Sequence, residues 1–170
     1  MFLGDSEVEL RPVESSDLPQ LRDWRNSPGL RPYLRERFPL NMSNQARWFE
    51  SLSNRQSAMF VIDFHGESVG TCGLVHIDFI DRKAEYSYYI GVPAAMRKGL
   101  GYRVARLLFA YGFGELGLHR ITSEDFTKCY AEIDVKWGFR LEGVLRKAHL
   151  VAGRWRDSYI LSVLEGEWSH

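Results

Sequence analysis

The segment Ile90-Gly91-Val92-Pro93-Ala94-Ala95-Met96-Arg97-Lys98-Gly99-Leu100-Gly101-Tyr102 carries the most concentrated chemistry in the chain. Strand-like residues run into a short loop, two cations precede two glycines, and a helical pattern begins at once. Glycine lets a backbone approach a ligand closely and turn its N–H groups outward. A helix N-terminus adds free N–H donors and partial positive charge, and Arg97 and Lys98 add full charges. Such a turn suits a pyrophosphate. It lacks the Gly-Lys-Ser/Thr of a P-loop and the three glycines of a dinucleotide fingerprint. By itself the pattern equally fits a tight strand-to-helix turn with solvated cations.

A few residues upstream, Glu85 stands in Ala84-Glu85-Tyr86-Ser87-Tyr88-Tyr89. On a strand, Glu85, Ser87 and Tyr89 share one face, and Tyr86, Tyr88 and Ile90 the other. A carboxylate among aromatic rings beside an anion cradle can serve as a general base, because partial burial raises its pKa toward the working pH. A solvent-facing Glu on an edge strand is the plainer alternative.

The surrounding pattern supplies the elements that would position these residues. Val8-Glu9-Leu10-Arg11 alternates as a strand does. Ser15-Ser16-Asp17 offers a helix cap before Leu18, Leu21 and Trp24, and Asn26-Ser27-Pro28-Gly29 breaks that helix. After an irregular stretch rich in arginine and aromatics (residues 30–39), a second helix starts beyond Ser43 with Trp48, Phe49 and Leu52. Three strand-like runs follow: 59–64, 69–77 and 84–91. Leu100, Val104, Leu107, Leu108 and Tyr111 then fall on one helical face, with Gly112, Gly114 and Gly117 as the end signal. A short strand (120–124), a helix (130–137) closed by Gly138, and a hairpin of 140–150 with 157–164 through Ala152-Gly153 complete the order. This order predicts one α/β domain over residues 1–170, a mixed sheet covered by helices.

Composition narrows the class. Lys+Arg and Asp+Glu are both 22, so the zero net charge argues against a general nucleic-acid binder. No apolar run is long enough to span a bilayer, and the short acidic start lacks the pattern of a secretory signal. Cys72 and Cys129 form no disulfide framework and show no metal-ligand spacing. The expectation is a reduced, soluble, cytoplasmic protein with no metal and no nucleic-acid or membrane partner.

With these residues in place, the chain resembles the GNAT superfamily of acyl-CoA-dependent N-acetyltransferases from about Val8 to Trp168. The cradle is similar to that family's Q/R-x-x-G-x-G/A motif, with Met96 where Gln or Arg is usual. Trp137-Gly138-Phe139-Arg140-Leu141-Glu142-Gly143 resembles its LGF-x-x-E-G segment. Leu10-Arg11-Pro12, Trp24-Arg25-Asn26 and Gly153-Arg154-Trp155-Arg156-Asp157 look like the ribosomal-protein N-terminal acetyltransferase branch, and most like its relatives that acetylate nucleotide-linked amino sugars.

The resemblance implies a mixed, mostly antiparallel seven-stranded sheet with about four helices and a splayed strand pair near Ile90 and Ser123 holding CoA. It implies that N–H groups of Ile90, Gly91 and Val92 hold the pantetheine and the thioester oxygen. Arg97, Lys98, Gly99, Leu100, Gly101 and Tyr102 then hold the pyrophosphate, and Ser123 and Thr127 complete the acetyl-CoA site. Glu85 becomes the base that deprotonates a primary ammonium through water, so that the amine attacks directly and neither cysteine need be a nucleophile.

One departure stands out. The usual Tyr that protonates the departing thiolate is here Asp134, and Thr127 replaces the Asn that often opens that helix. An ionised Asp beside a thiolate is unfavourable. Tyr130, one turn earlier, or water would then serve, or the protein is a catalytically weak acyl-CoA-binding module. For the acceptor the resemblance points to Trp24, Arg31, Tyr33, Trp48 and Glu85. Around them lie Arg25, Arg35, Arg37, Phe38, His76, His149 and Trp155, a set suited to a nucleotide-linked amino sugar or a peptide N-terminus. Core packing is the plainer reading of Trp24 and Trp48. An edge strand in the C-terminal hairpin offers a surface for pairing two copies.

Overall fold

In the computed structural model, described over residues 3–168, the chain forms one eight-stranded sheet. Its strands are β1 (Leu3–Gly4), β2 (Val8–Pro12), β3 (Ser57–Phe64), β4 (Glu67–Asp78), β5 (Lys83–Ile90), β6 (Arg120–Asp125), β7 (Arg140–Val151) and β8 (Arg154–Leu164). Four α-helices accompany them: α1 (Leu18–Asn26), α2 (Met42–Ser51), α3 (Leu100–Phe109) and α4 (Lys128–Lys136). The spatial order is β1-β2-β3-β4-β5-β6-β8-β7. All neighbours are antiparallel except β5 and β6, which run parallel with α3 crossing between them. The sheet is thus mixed and mostly antiparallel, as expected. The expected seven strands become eight because Leu3–Gly4 adds a two-residue edge against Leu10 and Glu9.

The two faces of the sheet bury different helices. On one, α3 and α4 cover a core that includes Leu10, Ile62, Leu74, Tyr86, Val104, Leu108, Phe109, Ile121 and Phe139. On the other, α1 and α2 close over Val13, Leu18, Leu21 and Val61, with Trp24, Trp48 and Phe49 packed alongside. The alternation of β5 feeds both. Tyr86 meets Phe109 and Phe139, and Tyr88 meets Trp137 edge-on at 6.1 Å, all from the α3/α4 side. Ser87 and Tyr89 look toward α1 and α2.

The glycines after α3 do not stop it where the pattern suggested. The chain continues as a wide helical turn over Ala110–Glu115 and breaks at Gly117, whose φ is +62°. Gly112 serves closeness instead: a Cβ there would sit 2.9 Å from Leu74 and 3.0 Å from Ile121, so its absence lets the helix lie down on β4 and β6.

Candidate active site

The β5/β6 pair defines the centre. Its parallel register covers Lys83↔Arg120, Ala84↔Ile121 and Glu85↔Thr122 and then ends. Beyond it, Tyr86–Ile90 and Ser123–Asp125 diverge, and only β4 and β8 hold their outer edges. The splay expected near Ile90 and Ser123 is therefore present.

The N–H groups at the end of β5 are divided. Gly91 N–H and Val92 N–H both donate to the Val69 carbonyl, at 2.8 and 3.2 Å. Those two were expected to face a thioester; they are held by β4 instead. Strand alternation turns the Ile90 N–H the opposite way, across the gap toward β6, where no paired residue meets it. Ile90 is thus the backbone donor the splay leaves available.

The turn that follows keeps its cationic character. Gly99 caps α3 with φ +75°, and Arg97 also has positive φ, at +62°. Arg97 and Lys98 are exposed, and neither makes an ion pair among the described residues. Leu100 is buried as the first core residue of α3, and Tyr102 is exposed with Arg106 above its ring. Gly101 has a different reason from the one expected. A Cβ there would fall 2.2 Å from the ring of Trp137, the C-cap of α4, so this glycine is the seat of that indole. Gly91 likewise lies under Trp24, whose ring a Cβ would meet at 2.2 Å. Trp24 therefore locks α1 onto the end of β5, in keeping with its plainer reading.

Two clusters of carboxylates flank the splay on opposite faces of the sheet. On the α1/α2 side, Arg35 reaches in from the loop after α1. Its Nη1 lies 2.6 Å from Glu85 Oε1 and its Nη2 lies 2.5 Å from Glu124 Oε2. His76 Nδ1 is 3.2 Å from the other Glu85 oxygen, and Ser158 Oγ donates to Glu124. Glu85 is neither solvent-facing nor free: it is a largely covered carboxylate between a guanidinium and an imidazole. In the sequence Arg35 is only one of a general cationic group and Glu124 carries no signal, because the bridge joins residues 89 apart in the chain.

On the α4 side, Asp134 is buried at 5% exposure and faces Ser123 and Asp125. The buried Asp125 Oδ2 meets no hydrogen-bond donor among the described residues. Burial pushes both carboxyls upward, and the neighbouring charge of Asp134 raises Asp125 further, so the pair retains a proton well above the usual carboxylate range. The two acids titrate as one unit, with Asp125 holding its proton the more firmly and Asp134 hydrogen-bonded to it. The Tyr86 hydroxyl, buried and without a hydrogen-bond partner among the described residues, lies in the field of both acids. Tyr130 stands one turn before Asp134, half-exposed, its ring packed edge-on against Tyr33 at 5.5 Å. Thr127 is the N-cap of α4: its Oγ1 accepts from Tyr130 N at 3.4 Å, a structural bond at a position expected to touch cofactor. Arg31 is held within its own loop, its Nη2 donating to the Arg37 carbonyl. Trp48 lines a cavity beside Ser87 and Tyr89. Cys72 is fully buried with its thiol pushed up by burial, and Cys129 is exposed.

The features that decide the family are now together: one parallel strand pair that opens, a cation-bearing turn after its first strand, and a helix capped by glycine on that turn. The family model for the acetyltransferase (GNAT) domain matches residues 7–127. The chain belongs to the GNAT acetyltransferases. It is accordingly an acetyl-CoA-dependent N-acetyltransferase. Over 165 residues it is 27% identical to the spermidine N(1)-acetyltransferase of Escherichia coli (strain K12), covering 95% of this chain and 88% of that one. A crystal structure of spermidine N-acetyltransferase from Vibrio cholerae in complex with CoA and spermine superposes with a TM-score of 0.88 at 23% identity, over 96% of this chain and 98% of that one. A dodecameric structure of the same Vibrio cholerae enzyme in an intermediate state gives 0.83 at 21% identity, over 95% and 96%. These relatives are spermidine enzymes, so they lend no support to the ribosomal-protein or amino-sugar branch that the short motifs suggested.

Proposed function

We propose that this acetyltransferase acetylates a primary alkylamine whose ammonium binds between Glu85 and Glu124. The observation that carries the reading is the Arg35 bridge. Two carboxylates at the mouth of the splay already hold one cationic nitrogen group, at 2.6 and 2.5 Å, in the place an incoming ammonium needs. Polyamines belong to that class of acceptor, and the spermidine enzymes among the relatives support including them in the first trials. Nucleotide-linked amino sugars and peptide N-termini stay in the panel as alternative primary amines.

The splay fits acetyl-CoA by its own groups. Ile90 offers an N–H to an oxygen in the gap, while Arg97, Lys98 and the N-terminus of α3 offer donors and charge to phosphates. Acetyl-CoA supplies the acetyl thioester. An alkylammonium with a pKa near 10 is almost fully protonated at neutral pH, so a base is required before attack. Glu85 is the base: it lies on the acceptor face, and His76 behind it provides a route for the proton to solvent. On the opposite face, the Asp125/Asp134 pair holds a proton that can go to the leaving sulfur. This gives the helix position that lacks its usual Tyr a donor of its own, with Tyr130 as the second candidate at the rim. The two free cysteines suit a reducing compartment, and we place the reaction in the cytoplasm.

A Glu85→Gln variant tests the assignment. It is expected to bind acetyl-CoA as the parent does and to lose about 100-fold in kcat, the usual share of a general base. Undiminished kcat across the pH range would remove Glu85 from that role.

A further inference from the structure

Beneath α1 and α2, against the Ser87/Tyr89 face of β5, lies a cavity of about 320 Å³. That is the lower end of ordinary small-molecule sites. His76 stands at its rim and also holds Glu85, so the cavity adjoins the proposed ammonium site. Its lining is unusual in charge and in hydrogen bonding. Arg25 and His76 are its charged or chargeable members besides the Tyr89 phenol, and no Asp or Glu lines it. Three of its donors are buried and meet no partner among the described residues: Arg25 Nε, Gln45 Nε2 and the Tyr89 hydroxyl. Gln45 is only 2% exposed, and it is the one buried residue of α2. The positive charge of Arg25 acts on the Tyr89 phenol, which places the two groups together. Leu21, Leu34 and Trp48 supply apolar wall.

Buried donors without partners are unfavourable, commonly by more than a net hydrogen bond is worth. Arranged around one opening, beside a guanidinium and with no carboxylate in the lining, they match an anionic oxygen group and mismatch a cation.

We propose that this cavity is a specificity pocket that receives a carboxylate, carried on an apolar body, at the non-reacting end of the acceptor. The inference rests on the acceptor reading above and narrows it: the acceptor is an amino acid type of molecule, with the amine at Glu85 and the carboxylate at Arg25, Gln45 and Tyr89. A diamine offers this pocket a second ammonium against Arg25, so the chain departs here from its spermidine-acetylating relatives.

Three six-carbon amines isolate the effect: 6-aminohexanoate, hexylamine and 1,6-diaminohexane share amine and methylene body and differ only at the far end. Binding to the CoA-loaded protein is read by tryptophan fluorescence and calorimetry, and turnover separately by thiol release. The expected order of affinity is carboxylate, then methyl, then ammonium, with about tenfold between the first two, as one charge-assisted hydrogen bond gives. Arg25→Gln, and independently Tyr89→Phe, should shrink the ratio of 6-aminohexanoate to hexylamine toward one. Diaminohexane binding best, or a ratio unmoved by both variants in folded protein, would overturn the pocket assignment while leaving acetyl transfer intact. Absence of thiol release with every amine, alongside carboxylate-selective binding, would instead overturn the catalytic reading and leave the pocket standing.

Discussion

Replacing Arg35 by glutamine removes the guanidinium that spans Glu85 and Glu124. If that guanidinium occupies the ammonium site, it competes with every acceptor, and its removal must tighten acceptor binding. Arg35 is 43% exposed, while its partners are 22% and 25% exposed, so solvent screens both contacts. Exposed pairs contribute about 0.2–1 kcal/mol each, which puts the two together near 1 kcal/mol. An energy of about 1 kcal/mol corresponds to a fivefold fall in KM for a simple alkylamine, with kcat little changed. Thiol release measured against amine concentration for both proteins gives this directly. The difference should narrow at high salt, which weakens the tether being displaced. A KM that rises in Arg35→Gln would refute the reasoning, because Arg35 would then be holding the acceptor or aligning Glu85 rather than standing in for the ammonium.

Other perturbations reach different parts of the account. The Asp125/Asp134 pair is raised above its unfolded range, so the native state binds more protons than the unfolded chain, and stability should fall as pH rises through the carboxyl titrations. Thermal melts from pH 5 to 9 should therefore slope downward in the parent and less so in Asp125→Asn; equal slopes would contradict a buried shared proton. Gly101→Ala forces a methyl into the Trp137 ring, which is 2.2 Å from the ideal Cβ position, and overpacking of this kind costs about 1–3 kcal/mol. For a chain of this length that lowers Tm by roughly 2–4 °C per kcal/mol, and an unchanged melt would show that α4 shifts freely. The C-terminal hairpin exposes Leu141, Val144, Leu145 and Leu150 along the edge strand β7, and Trp155 beside them on β8. Assembly through that edge predicts that Leu145→Glu reduces the sedimenting mass, and a parent already monomeric at high concentration would rule it out.

Much of the frame was readable from local pattern. The helical spacing of Leu100, Val104 and Leu108, the two-fold alternation of β5, and the breaker at Ala152-Gly153 each report a short-range rule, and each element lies close to where that rule places it. The family could be read for the same reason, since the glycine and cation turn is contiguous. What was not legible depends on contacts far apart in sequence. Gly101 resembles a ligand-approach glycine, and its packing need against Trp137, at the end of another helix, has no local signal. Asp134 looked like a charge in the wrong place until Asp125, on the neighbouring strand, became its proton-sharing partner. The role of Arg35 and the presence of Glu124 depend on how a loop without regular pattern folds back over the splay. The short dipeptide and tripeptide resemblances could not fix an acceptor for a related reason: the cavity lining brings together Arg25, Gln45 and Tyr89 from three separate elements.

The central claim is acetyl transfer from acetyl-CoA to a primary amine at the β5/β6 splay. Its most direct test mixes purified protein with acetyl-CoA and a panel of amines: spermidine, 6-aminohexanoate, a nucleotide-linked amino sugar and a short peptide. Free thiol is followed while mass spectrometry detects the acetylated product. The expected result is amine-dependent thiol release matched one-to-one by N-acetylated amine, abolished or strongly reduced in Glu85→Gln. Thiol release absent with every amine, or unaffected by the loss of Glu85, would contradict it.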